Sequence, residues 1–138
     1  MSILVCGGAG YIGAHVVRLL RQRGDRVVVV DDLSTSNAAR VGDTPLVRLD
    51  VATDEARSVL SNLMVDEDVT AGIHFSARKQ VGESVARPAW YYQQNIGGMA
   101  NVLAAMEDAG VDQMIFSSSA AVYGIPTAEV VTEDMAGH

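Results

Sequence analysis

"ILVCGGAGYIGAHVVRLLRQRG", residues 3–24, decides the fold. An apolar run, Ile3 to Cys6, leads straight into glycines. Apolar side chains then recur at Ile12, Val16, Leu19 and Leu20, a helical spacing, until Gly24 stops them. A short strand joined to a helix through a glycine turn is the opening unit of a dinucleotide-binding domain. Gly7, Gly10 and Gly13 sit three apart, and Gly8-x-Gly10-x-x-Gly13 also fits the fingerprint. Glycine supplies positive backbone dihedrals there, and any Cβ would block a pyrophosphate. The helix start then offers free N–H groups and partial positive charge to an anion.

Outward from this unit, "RVVVVD" (26–31) reads as a strand buried on both faces. Asp31 ends it, 18 residues past Gly13. A carboxylate at that place accepts a ribose 2′-hydroxyl and repels a 2′-phosphate, which points to NAD rather than NADP. The competing reading is a tight turn with a solvated Asp31.

The rest of the chain alternates in the same way. A polar loop with a short helical turn precedes a third strand, 45–50. Thr53 reads as the cap of a helix over 53–64, with acids in its first turn. A fourth strand covers 69–75, and 76–89 is a polar segment. The longest helix covers 90–109, with Ile96, Met99, Leu103 and Met106 on one face and Gly110 at its end. A fifth strand, 111–117, precedes a loop-like tail. Strands separated by helices imply parallel pairing through right-handed crossovers. The expected fold is a doubly wound α/β sheet of Rossmann type, order 3-2-1-4-5, with helices on both faces. Residues 1–138 read as one such domain. Asp50 ends the third strand at the ligand side. It reads as an acceptor for an adenine amino group or, more plainly, as an exposed loop acid or a helix cap before "ATDE".

Composition excludes several classes. Net charge is −7, from 17 acidic and 10 basic residues, which argues against nucleic acid. Cys6 is the one cysteine, so no disulfide can form within the chain, and a cytoplasmic location is expected. No signal peptide and no apolar run long enough for a bilayer is read, so no membrane partner is expected. His15 and His74 lack companions at metal-ligand spacing, so no metal is expected. Cys6 reads as a small core residue. Trp90, Tyr91 and Tyr92 read as packing at the start of the long helix, and Glu83 with Lys79 as a solvated pair.

"IFSSSAAVYG" (115–124) places three serines at the tip of the fifth strand. Alternation along a strand sends neighbours to opposite sides, so the three cannot all face one ligand. Ser117 and Ser118 are expected to satisfy backbone groups where the strand stops, and Ser119 to face the ligand. A polar strand end without chemistry is the plainer alternative.

"GGAGYIG", "DDLS", "HFSARKQVGESV", Pro88-x-x-Tyr91-Tyr92 and "FSSSAAVYG" occur in order over nearly the whole chain. Together they resemble the extended short-chain dehydrogenase/reductase superfamily, and within it the branch of UDP-hexose 4-epimerases. The resemblance implies bound NAD and a UDP-hexose substrate. Tyr11 and Ile12 would line the pyrophosphate, and Asp31 the adenosine ribose. Asp32, Leu33, Ser34, Thr35 and Ser36 would wrap the adenosine side, and Asp50 and Val51 would meet the adenine. Phe75, Ser76 and Ala77 would pass beneath the cofactor, and Lys79 would reach the nicotinamide ribose region. Gln94 stands where the family commonly has asparagine near the cofactor. Ser119 would bond the reacting 4-hydroxyl of the sugar.

"HFSA" departs from the usual "HFAA" or "HFAG", adding the Ser76 hydroxyl beside the cofactor. "GGM" (97–99) replaces a common Asn-Gly-Thr. Related 4,6-dehydratases read Thr-Asp-Glu where this chain has Ser119, Ala120 and Ala121, and alanine cannot transfer a proton.

The superfamily's base is the tyrosine of Tyr-x-x-x-Lys. Tyr11, Tyr91, Tyr92 and Tyr123 are followed four residues on by His15, Asn95, Ile96 and Thr127. By family spacing the motif falls beyond residue 138. The expectation is the NAD-binding part of a longer epimerase, inactive by itself. That epimerase would act in galactose metabolism and nucleotide-sugar supply. The alternatives are a non-catalytic NAD-binding sensor or scaffold, or another NAD-dependent nucleotide-sugar epimerase. The resemblance further implies a homodimer in the longer protein through the 90–109 helix, and self-association of this chain follows as an expectation.

Overall fold

The structure is a computed structural model and describes residues 1–125 and 130–135. Five parallel strands form one sheet in the order β3-β2-β1-β4-β5. They are β1 (Ser2–Cys6), β2 (Val27–Asp31), β3 (Leu46–Arg48), β4 (Val69–His74) and β5 (Gln113–Phe116). The helices between them are α1 (Tyr11–Arg23), α2 (Ala56–Asp66), α3 (Val81–Ala86), α4 (Pro88–Tyr92) and α5 (Gly98–Ala109). The expected doubly wound architecture and strand order are those observed.

β1 lies at the centre because its residues are apolar toward both faces. Leu4 pairs with Val28 on one side and with Gly72 on the other. Leu4, Cys6, Val28 and Val30 face a layer built by Leu60 and Met64 of α2 and Val102 and Met106 of α5. Val5, Val27, Val29 and Ile73 face Val17 of α1 on the opposite side. All five residues of β2 are buried, as its β-branched run predicts.

Several local expectations are corrected. The inward stripe of α1 is Gly13, Val16, Val17 and Leu20, while Ile12 and Leu19 are exposed. Gly13 permits the close approach that rotates the stripe by one residue. Thr53 does not cap α2. Its hydroxyl donates to the Asp50 carbonyl, and α2 begins at Ala56 without a side-chain cap. The polar segment 76–89 contains α3. The long helix is three consecutive pieces, in which a π-turn over Gln93–Gly97 joins α4 to α5. This extra residue per turn shifts the inward face. Gly98, Val102, Ala105 and Met106 are buried, while Ile96 and Leu103 are exposed. The expected face splits: Ile96 is exposed in the π-turn and Leu103 is exposed on α5, while Met106 lies in the core.

The loop after β2 forms a 3-10 turn over Ala38–Val41, capped by Asn37. At the far edge, Ile115 and Phe116 of β5 are exposed. Among the described residues no helix is long and apolar enough to cross a membrane.

Candidate cofactor site

The carboxyl ends of the strands carry the site. Gly7 leaves β1 at φ +77°, a dihedral that glycine adopts readily and other residues rarely do. A Cβ on it would come within 2.7 Å of the Ser76 nitrogen, so the glycine loop rests on the segment that follows β4. A Cβ on Gly13 would strike the Gly7 carbonyl oxygen, and one on Gly8 would lie 2.7 Å from Val29. Gly10 differs: only the Gly7 oxygen, at 3.2 Å, lies near its would-be Cβ. Three of these glycines are thus demanded by the protein's own packing. At the fourth the protein's own contact is looser, and a Cβ there would stand at the turn that a dinucleotide's pyrophosphate approaches in this motif.

α1 starts at this loop. Its N-cap is Gly10, with no capping side chain, and its first turn holds no acid. The leading N–H groups of any helix lack intrahelical partners. Here Tyr11 and Ile12 bring theirs to an exposed turn, which suits a pyrophosphate. Tyr11 stacks edge-on against His15, with centroids 5.1 Å apart.

Asp31 is buried at the tip of β2. Its Oδ2 accepts the Ala9 N–H at 3.0 Å, and its Oδ1 accepts Leu33 N–H at 2.9 Å and the Ser36 hydroxyl at 2.6 Å. Leu33 lies at φ 59°, which curls the 32–36 loop back over the carboxylate. A carboxylate offers about four lone-pair directions, so one acceptor direction remains for a ligand hydroxyl.

Asp32 has other partners. Its Oδ1 accepts the backbone and hydroxyl of Ser34, and its Oδ2 accepts Arg78 Nη2 at 2.5 Å. Burial pushes this carboxyl up, but the Ser34 and Arg78 donors outweigh it and hold it below the usual range. Arg78 also donates from Nη1 to the Ser34 hydroxyl and from Nε to Gln94 Oε1. Gln94 in turn donates to Asp50 Oδ2 at 3.2 Å, while Asp50 Oδ1 accepts Ala52 N–H. Asn95 pins the Arg78 main chain, accepting its N–H at 2.7 Å and donating to its carbonyl at 3.0 Å.

Sequence reading missed Arg78 and Asn95. Their partners lie far off in sequence, so no local pattern marks either residue.

The other expected residues fall at the same end of the sheet. Phe75 and Ser76 lie beneath the glycine loop, and Ala77 and Lys79 are exposed. Lys79 makes no ion pair among the described residues. Glu83 pairs instead with Arg87 at 3.6 Å and accepts the Tyr91 hydroxyl, which corrects the expected Glu83–Lys79 pair. Thr35 is exposed. The Val51 side chain packs into the core against Gly98, and its carbonyl accepts from Asn101. Trp90 lies under Arg87, whose guanidinium carbon is 4.1 Å from the ring centroid, and Tyr91 is buried. Tyr92, by contrast, is exposed.

Of the three serines, Ser119 is the one that satisfies a backbone group. Its hydroxyl accepts Ala121 N–H at 3.2 Å and caps a 3-10 turn over Ala120–Tyr123. Ser117 bonds only through its main chain, to the His74 carbonyl, and Ser118 forms no side-chain bond among the described residues. Among the described residues the Ser119 hydroxyl donates to no acceptor. Thr127, the position four past Tyr123, lies outside the described residues.

Cys6 is a buried core residue as expected. Desolvation, then the Asp31 charge, pushes its thiol up to about 12. His74 is buried, its Nδ1 has no hydrogen-bond partner among the described residues, and its ring stacks on Phe116 with centroids 6.0 Å apart.

Residues 3–137 match the model of the NAD dependent epimerase/dehydratase family. A UDP-glucose 4-epimerase of Lactobacillus helveticus is 44% identical over 134 residues, covering 97% of this chain and 40% of that protein. The crystal structure of a UDP-glucose 4-epimerase from Stenotrophomonas maltophila holds NAD and formylated UDP-arabinopyranose. It superposes with a TM-score of 0.85 at 42% identity, covering 96% of this chain and 41% of the other. The enzyme from Brucella ovis, in complex with NAD, gives 0.86 at 39% identity over 99% of this chain and 41% of its own. The chain therefore spans about two-fifths of the length of the relatives it matches.

Proposed function

The chain belongs to the NAD dependent epimerase/dehydratase family. From that membership we propose that residues 1–138 form the NAD-binding domain of a UDP-hexose 4-epimerase. The observation that carries this reading is the crevice at the β1–α1 turn. It combines the Gly10 turn, an uncapped helix start and the buried Asp31 carboxylate, which holds the Ala9 N–H. These residues suit NAD. The N–H groups of Tyr11 and Ile12 would hold the pyrophosphate. Asp31 would take the adenosine ribose hydroxyl, and Asp50, held by Gln94, would stand at the adenine. Lys79, exposed after β4, would approach the nicotinamide ribose.

Bound NAD would supply reversible hydride acceptance from C4 of the hexose, with no net redox change. Ser119 would donate its hydroxyl proton to the sugar's C4 oxygen. The protein would supply placement and charge. A base with the Tyr-x-x-x-Lys pattern occurs nowhere in the 138 residues. An unassisted tyrosine, with pKa about 10, is too weakly ionised at neutral pH to replace it. A cytoplasmic location and a homodimer through the α4–α5 face belong to the same proposal, supported by the lone buried Cys6 and by exposed Ile96 and Leu103.

The test is twofold. The purified chain, given NAD and UDP-galactose, is expected to form no UDP-glucose. A reading frame that continues past His138 into Tyr-x-x-x-Lys supports the epimerase, whereas a stop codon there favours a non-catalytic NAD-binding module.

A further inference from the structure

Arg78 lies after β4, and in the sheet β1 separates β4 from β2. Its guanidinium nevertheless reaches past the end of β1 to the loop that follows β2. Each of its nitrogens serves a different acceptor: Nη2 the Asp32 carboxylate at 2.5 Å, Nη1 the Ser34 hydroxyl at 2.6 Å, Nε the Gln94 amide at 3.1 Å. Through Gln94 the chain of bonds continues to Asp50 beyond β3. Asn95 fixes the Arg78 main chain on both sides, and the Trp90 ring lies 5.3 Å from the guanidinium carbon. One side chain thus joins the crevice lips that follow β2, β3 and β4. Its exposure is 20%, that of Asp32 27%, so the pair is largely withdrawn from water.

Asp31 and Asp32 together bring two carboxylates to one end of the crevice. Asp31 is satisfied by three neutral donors. Asp32 alone has a cation. A ligand carrying a pyrophosphate adds negative charge, and an unpaired carboxylate in a part-buried place opposes it.

We propose that Arg78 is a positioning residue for the adenosine half of the cofactor, which it prepares by neutralising Asp32 and fixing Ser34 and Gln94 against each other. This rests on the NAD reading given above. The geometry requires arginine in particular. A lysine supplies one compact charge and cannot form the three-way fork.

The experiment is titration calorimetry of NAD and of AMP into the whole chain as wild type, Arg78→Ala, Arg78→Lys and Arg78→Ala with Asp32→Asn. Circular dichroism checks each fold, and the single Trp90 gives a second readout of binding by fluorescence. The expected result is a loss of about tenfold or more with Arg78→Ala, of equal size for NAD and AMP. Arg78→Lys should fall between. Adding Asp32→Asn should recover several-fold, because the carboxylate that opposes the ligand is gone. A merely structural arginine would show no such recovery. If Arg78→Ala does not fold, the Lys variant and the double variant carry the same comparison. Unchanged NAD and AMP affinity in the variants, or no gain from Asp32→Asn, overturns the inference. A wild-type chain that binds no NAD overturns the cofactor reading beneath it, a result distinct from the first.

Discussion

Asp31 accepts the backbone N–H of Ala9 at 3.0 Å, so the tip of β2 holds the middle of the glycine loop. The pair lies 22 residues apart in sequence and is fully buried. The carboxylate that faces the ribose in the proposed complex therefore also shapes the loop that faces the pyrophosphate. Arg40 reinforces the contact from outside by donating to the Ala9 carbonyl at 3.4 Å.

Gly10 and Gly13 should separate binding from folding. Gly13→Ala drives a methyl into the Gly7 carbonyl and should cost about 1–3 kcal/mol of stability, the range for overpacking. Gly10→Ala meets one backbone oxygen at 3.2 Å, a tight but much milder contact, and should lose less stability than Gly13→Ala while losing most NAD affinity. Thermal unfolding and calorimetry on both proteins check this. Equal melting temperatures for the two would contradict the packing account.

His74 should make the fold sensitive to mild acid. Burial lowers its pKa below the ordinary value, and a contact with the Ser76 backbone offsets this in part. The unfolded chain then takes up the proton first, so its stabilising share is complete above about pH 6.5. That share declines as pH falls below that value toward the lower folded pKa. Urea midpoints at pH 7.5 and 5.5 should differ in the wild type, and the difference should shrink in His74→Gln. An unchanged difference would assign the slope to other groups.

Self-association should follow from two apolar surfaces. Ile115 and Phe116 stand exposed on β5, an edge strand, and Ile96 and Leu103 on the helical run. Light scattering across a concentration series should show mass rising above one chain. A monodisperse single-chain species at high micromolar concentration would contradict this.

Much of the architecture was legible because it depends on local pattern. "RVVVVD" can be a doubly buried strand with little ambiguity, and glycines spaced around Gly10 admit few other turns. The α1 stripe was misread because the close approach allowed by Gly13 belongs to the loop beneath it, not to helical period. Ile96 does not share the Met106 face because it lies in the π-turn at Gln93–Gly97, which breaks the 3.6-residue repeat, and periodicity carries no mark of it. Thr53 was a good cap by composition, yet its hydroxyl found the Asp50 carbonyl first. Arg78 was unreadable for another reason. Its partners lie 16, 44 and 46 residues away, so only the assembled strand ends bring them together.

The most direct measurement is calorimetric titration of the 138-residue chain with NAD and with NADP, in wild type and in Asp31→Ala. NAD is expected to bind the wild type more tightly than NADP does, because the Asp31 carboxylate accepts a hydroxyl and repels a phosphate. Asp31→Ala should weaken NAD by about 1–3 kcal/mol, the scale for a charged hydrogen bond, and narrow the gap to NADP. NAD affinity that is undetectable in the wild type, or unchanged in Asp31→Ala, would contradict the account.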